Sequence, residues 1–111
     1  NEKQEKFKVI CIDSGFHIKS VTDISAGGAR FTPVDFRELT KAVLNSGTDI
    51  VILAHNHPDS PNTPSQEDVT LTREVMRYMR CLGVTVLDHY ITGKNGTISM
   101  RNCGLIHDME C

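Results

Sequence analysis

The sequence contains no tryptophan, and aromatic residues make up only 5% of it. That is too few to build the stacking platforms on which single-stranded nucleic acids lie. A basic excess is also missing: 12 Lys and Arg stand against 14 Asp and Glu, for a net charge of −2. Autonomous binding to a phosphate backbone, which needs a basic face, is therefore not expected. No apolar run approaches the roughly 20 residues of a membrane span, and no signal peptide is recognised at the start. The four cysteines, Cys11, Cys81, Cys103 and Cys111, include no Cys-x-x-Cys pair, which argues against a cysteine zinc finger. Cys11 and Cys81 sit in apolar patterns and are expected in the core, with Cys111 exposed at the end. Without a secretory signal all four are expected to be reduced and the compartment cytoplasmic. Internal repeats, low-complexity tracts and linkers are absent too.

What is present is ordinary for a globular protein: 111 residues, 39% hydrophobic and 23% charged. This length suits a single domain over residues 1–111 with a modest core. The chain opens on Asn1 rather than Met, so a preceding part is left open. Residues 5–12 alternate and then turn fully apolar, as a strand does on passing from edge to core. Asp13-Ser14-Gly15 is a turn, and residues 17–24 alternate again to complete a hairpin. A short strand is possible at Arg30-Phe31-Thr32. Thr32 as N-cap and Pro33 at the first position open a helix with the stripe Phe36, Leu39, Val43 and Leu44, stopped by Gly47. A second helix runs from about Ser65 to Leu82 with the stripe Leu71, Val75, Met79 and Leu82, joined by Met76, and Gly83 ends it. Strands follow at residues 84–92 and 97–100 around an Asn-Gly turn. The order predicts an α/β fold, one mixed sheet flanked by helices.

Between the two helices lies Ile50-Val51-Ile52-Leu53-Ala54-His55-Asn56-His57-Pro58, a short buried strand with a hard stop. Residues i and i+2 of a strand share a face, so His55 and His57 point the same way and Asn56 points away, toward loop backbone. Asp68 would lie in the first turn of the second helix, where the helix dipole favours an ionised carboxylate. Two imidazoles, one carboxylate and an open fourth position for water make a catalytic rather than a structural zinc site. Ser65-x-x-Asp68 is equally the form of an N-capping box, and both roles can hold together. The Met-containing stripe of the second helix reads as core filling. Asp88 and His89 lie on a strand near the same end of the sheet, and either is a buried, satisfied group or a partner of a ligand histidine. His17 and His107 carry no assignment.

At these residues the chain resembles the JAMM (MPN) metalloproteases, whose motif is His-x-His, seven residues, Ser, two residues, Asp. The resemblance is closest to the bacterial RadC branch. His55-Asn56-His57-Pro58, Pro64-Ser65-x-x-Asp68, Leu71-Thr72 and Leu87-Asp88-His89 fall as that branch has them, over about residues 5–105. One departure is Asp59-Ser60, where the branch usually has Ser-Gly. The resemblance implies a three-layer α/β fold related to cytidine deaminases, although the His-x-Glu and Pro-Cys-x-x-Cys of those enzymes are lacking. It implies one Zn2+ per chain on His55, His57 and Asp68, and a metal-bound water as nucleophile. Glu5, in Glu5-Lys6-Phe7, would be the general base, with Glu2 as competitor, and Ser65 would stabilise the oxyanion. The expected activity is a zinc-dependent metallohydrolase acting on amide or isopeptide bonds of a peptide or protein. The alternative is a non-catalytic interaction module that keeps the fold, in line with the branch's association with DNA repair. The oligomeric state is not legible.

Overall fold

Residues 5–26 and 33–106 are described by the computed structural model. The elements follow as β1 (Phe7–Ile12), β2 (Ile18–Asp23), α1 (Phe36–Ser46), β3 (Ile50–Asn56), α2 (Gln66–Cys81), β4 (Thr85–Gly93) and β5 (Gly96–Ser99). The strands form one sheet in the order β2-β1-β3-β4-β5. β3 and β4 run parallel across the α2 crossover, and the other neighbours are antiparallel. The expected mixed-sheet α/β class therefore holds.

The side-chain period of two decides what the sheet presents. Phe7, Val9 and Cys11 pair with His55, Leu53 and Val51, and all six are buried. Leu39, Ala42 and Val43 of α1 join Leu71, Val75 and Met79 of α2 on this same face in one core cluster. The helices also touch each other, with Phe36 edge-on to Tyr78 and the Thr40 and Tyr78 hydroxyls 2.6 Å apart. Burying side chains such as Leu39, Leu53 and Met79 stabilises the fold by about 1.5–3 kcal/mol each. Among the described residues the opposite face carries no helix. A groove of about 550 Å³ opens there, lined by Lys6, Lys8, Val21, Asp23, Ala54 and Asn56 among others.

Several local expectations are corrected. The N-cap of α1 is Asp35, whose carboxylate accepts from the N–H groups of Arg37 and Glu38. Val34 bridges to Ser25, and the Asp35 N–H donates to the Ile24 carbonyl at 2.8 Å. Those bonds hold the segment after Pro33 extended, so the helix starts later; Thr32 and the suggested strand at 30–32 lie outside the described residues. Leu44 is 67% exposed, and Ala42 takes its place in the stripe. Leu82 caps α2 instead of packing, and Cys81 is exposed beside it. Cys11 is buried, as expected, while Cys111 lies outside the described residues.

Candidate metal centre

β3 delivers the first histidine by parity. His55 continues the inward row of Val51 and Leu53, and its ring stacks on Phe7 at 4.9 Å with the planes 5° apart. One residue past the strand, the His57 N–H donates to the Thr92 carbonyl at 2.7 Å, keeping the chain alongside β4. The two imidazoles then lie 4.9 Å apart, on the same side of the strand end.

The carboxylate arrives from the start of α2. Ser65 is the N-cap, and the capping box is complete: its Oγ accepts from the Asp68 N–H at 3.0 Å, and its own N–H donates to Asp68 Oδ2 at 2.8 Å. This reciprocal cap orients Asp68 inward. Oδ2 lies 3.1 Å from His57 Nε2 and Oδ1 lies 3.3 Å from His55 Nε2. Burial opposes ionisation of Asp68, but the adjacent His55 imidazole, the Ser65 N–H and the neighbouring His57 outweigh it. Its carboxyl is held well below the usual range.

Glu5 reaches the same point from the lead into β1. Its Oε2 is 3.9 Å from Nε2 of each histidine, and its side chain is 47% exposed. The ligand atoms of Glu5, His55 and His57 all lie within 4.8 Å of one another. Asn56, pointing away as expected, bonds backbone: its Oδ1 accepts from the Lys6 N–H at 2.6 Å. That bond fastens the residue next to Glu5 to the end of β3. Glu2, the competing base, lies outside the described residues.

The donor set fits a divalent cation. The Pro61 carbonyl, 2.9 Å from His57 Nδ1, can only accept, so Nδ1 carries the proton. Nε2 of a neutral ring is then a bare lone pair facing a carboxylate oxygen at 3.1 Å. Two acceptors sit that close only with a proton or a cation between them. His55 Nε2 is wholly buried and lacks a hydrogen-bond partner; Asp68 Oδ1 is in ion-pair range but without hydrogen-bond geometry.

Two further supports flank the cluster, the first of them left open in the sequence between Asp88 and His89. Leu87 has no partner on β3, because the register passes from Val51↔Val86 to Ile52↔Asp88. This bulge reverses the parity of β4 and turns His89 inward, where it is fully buried. His89 Nε2 lies 2.8 Å from His55 Nδ1. Asp88 serves elsewhere, accepting from the Ser99 hydroxyl and the Arg101 N–H. Thus His89, and not Asp88, is the partner of His55. The second support is the loop 58–64. Its buried Asn62 donates through Nδ2 to the Gly96 carbonyl and through its N–H to Asn95 Oδ1, both at 3.0 Å. Asp59 takes a positive φ of 59°, which Asp tolerates better than most residues.

Burial, and then the neighbouring His55, push His89 down to about 3, with Asp68 and Asp88 opposing. The unfolded chain takes up this proton near the ordinary value of 6.5, whereas the folded one does so only near 3. Stability is therefore unaffected by this group above pH 6.5 and falls with pH below it. At about 1.36 kcal/mol per unit, the metal-free protein should lose about 2 kcal/mol between pH 6.5 and 5 through His89. Urea unfolding at the two pH values checks this: the fall should shrink by about that amount in His89→Gln, and an equal fall in both proteins would contradict it.

Comparison with known proteins agrees with this geometry. A family model described as the RadC-like JAB domain matches residues 1–105. The chain belongs to that family. The RadC-like JAB domain is 35% identical over 103 residues to a UPF0758 protein of Desulfitobacterium hafniense, covering 93% of this chain and 45% of the relative. A UPF0758 protein of Clostridium botulinum is 36% identical over 104 residues, covering 94% and 45%. One from Symbiobacterium thermophilum is 37% identical over 102 residues, covering 92% and 44%. The RadC-like JAB domain thus spans less than half the length of these relatives. Among its described residues, no helix is long and apolar enough to cross a membrane.

Proposed function

We propose that this domain is a zinc-dependent hydrolase of amide or isopeptide bonds in a peptide or protein substrate. The observation that carries the reading is the convergence of two imidazole Nε2 atoms on Asp68, with Glu5 0.6–0.8 Å farther from both (3.9 against 3.3 and 3.1 Å). His55, His57 and Asp68 would hold the metal, because these three side chains are the nearer and the more buried. When bound, zinc supplies Lewis acidity, acidifying a water and polarising a carbonyl.

The chain's own residues do the rest. Glu5, half-exposed and facing both histidines, accepts the proton from the attacking water and returns it to the leaving amine. Asn56 keeps Glu5 at that post through the Lys6 backbone. Ser65 uses its oxygen as the helix cap but retains its O–H proton, which can be donated to a developing oxyanion.

The test is cleavage of a fluorogenic peptide pair, one linear and one joined through a lysine side chain, by zinc-loaded protein. Chelator-sensitive turnover of either supports the reading. A zinc-loaded protein inert toward a broad library of both would favour a non-catalytic interaction module.

A further inference from the structure

His89 does more than fill the core, and its role rests on the zinc reading above. Its second nitrogen, Nδ1, lies 2.7 Å from the Thr72 hydroxyl. That hydroxyl donates to the Asp68 carbonyl at 2.7 Å, back at the start of α2. A carbonyl only accepts, so the polarity of the whole chain is fixed from this end. Thr72 gives its proton to Asp68 O, and its oxygen receives the proton on His89 Nδ1. His89 Nε2 is then bare and receives the proton on His55 Nδ1. His55 Nε2 is left without one, buried and unpartnered, aimed at the cluster.

We propose that His89 is a positioning residue that, together with Thr72, locks His55 in its Nδ1–H form, so that Nε2 is ready for zinc before the metal arrives. The bonds also tie one proposed ligand, His55, to the backbone of another, Asp68, across sequence separations of 34 and 17 residues. Burial of His89 beside Phe7, with centroids 5.2 Å apart, keeps water from competing for either nitrogen.

The experiment uses the whole chain. Zinc affinity is measured by competition with a chromophoric chelator for the parent, His89→Leu, His89→Gln and Thr72→Val, with circular dichroism as the fold control. His89→Leu should bind zinc about 10–100-fold more weakly. His89→Gln, whose amide oxygen can still accept from His55 Nδ1–H, should recover most of the loss. Thr72→Val frees His89 to reverse its tautomer and should fall between them. In parallel, long-range ¹H–¹⁵N spectra of the metal-free proteins report the His55 tautomer directly. The parent should be Nδ1–H, and His89→Leu and Thr72→Val should be mixed. Unchanged affinity in all variants, or Nε2–H on His55 in the parent, would overturn the proposal. A parent that binds no zinc but holds His55 in the Nδ1–H form would overturn the zinc reading and leave the relay standing.

Discussion

A Glu5→Gln variant is expected to keep its zinc and to hydrolyse the peptide pair about 10²–10⁴-fold more slowly than the parent, the usual contribution of a positioned general base. Gln preserves the shape and length of the side chain but cannot take a proton. Asp68→Asn should behave in the opposite way. In the proposed site the nearer carboxylate would close the ligand set, and Asn removes its charge and one of the two oxygens that face the histidines. Zinc content and turnover should then fall together. The contrast matters because Glu5, His55 and His57 alone bring ligand atoms within 4.8 Å of one another. If Glu5 were the third ligand, Glu5→Gln would lose the metal and Asp68→Asn would keep it. Elemental analysis of the two variants, beside their steady-state rates, separates the assignments.

Gly93→Ala should be the most damaging change outside the proposed ligand set, although the residue touches no ligand. A Cβ at this position would lie 2.4 Å from Asn62 N, 2.6 Å from the Pro61 carbonyl carbon and 2.7 Å from Ser60 O. All three are backbone atoms, so no side chain can swing aside. The loop 58–64 must lift from β4, and it carries the Pro61 carbonyl that orients His57. Overpacking of this kind costs about 1–3 kcal/mol, and the backbone contacts put Gly93 at the upper end. Chemical denaturation should show that loss, and chelator competition should show zinc affinity at least about tenfold weaker, as for loss of a group that orients a ligand. A Gly93→Ala protein with parental stability would mean that the loop is not anchored there.

The parts of this site that could be read in the sequence are those governed by local rules. The apolar run before His55 and the period of two set the histidines on one side of a strand. Ser65-x-x-Asp68 set a capping box at a helix start, and that box is what turns Asp68 inward. Glu5 was legible only through the resemblance, since nothing in Glu5-Lys6-Phe7 distinguishes it from an edge carboxylate. The rest depends on events with no local mark. The bulge at Leu87 decides that His89 faces the site, and bulges are set by packing across strands. The fit of Gly93 against Pro61 and Asn62 joins segments more than 30 residues apart. Asp35 displaces Thr32 as helix cap because Val34 is held in a bridge to Ser25, a contact outside the helix itself. Leu44 fits the helical period yet lies exposed, because α1 packs on β1 and β2 through Leu39, Ala42 and Val43.

Everything proposed for this site rests on zinc held by His55, His57 and Asp68. The most direct measurement is metal content by elemental analysis of protein purified without added metal, beside a His57→Ala variant. About one zinc per chain is expected in the parent and almost none in the variant, at a stoichiometry set by three protein ligands and an open position. A folded parent with no metal, and none taken up on zinc titration, would contradict it.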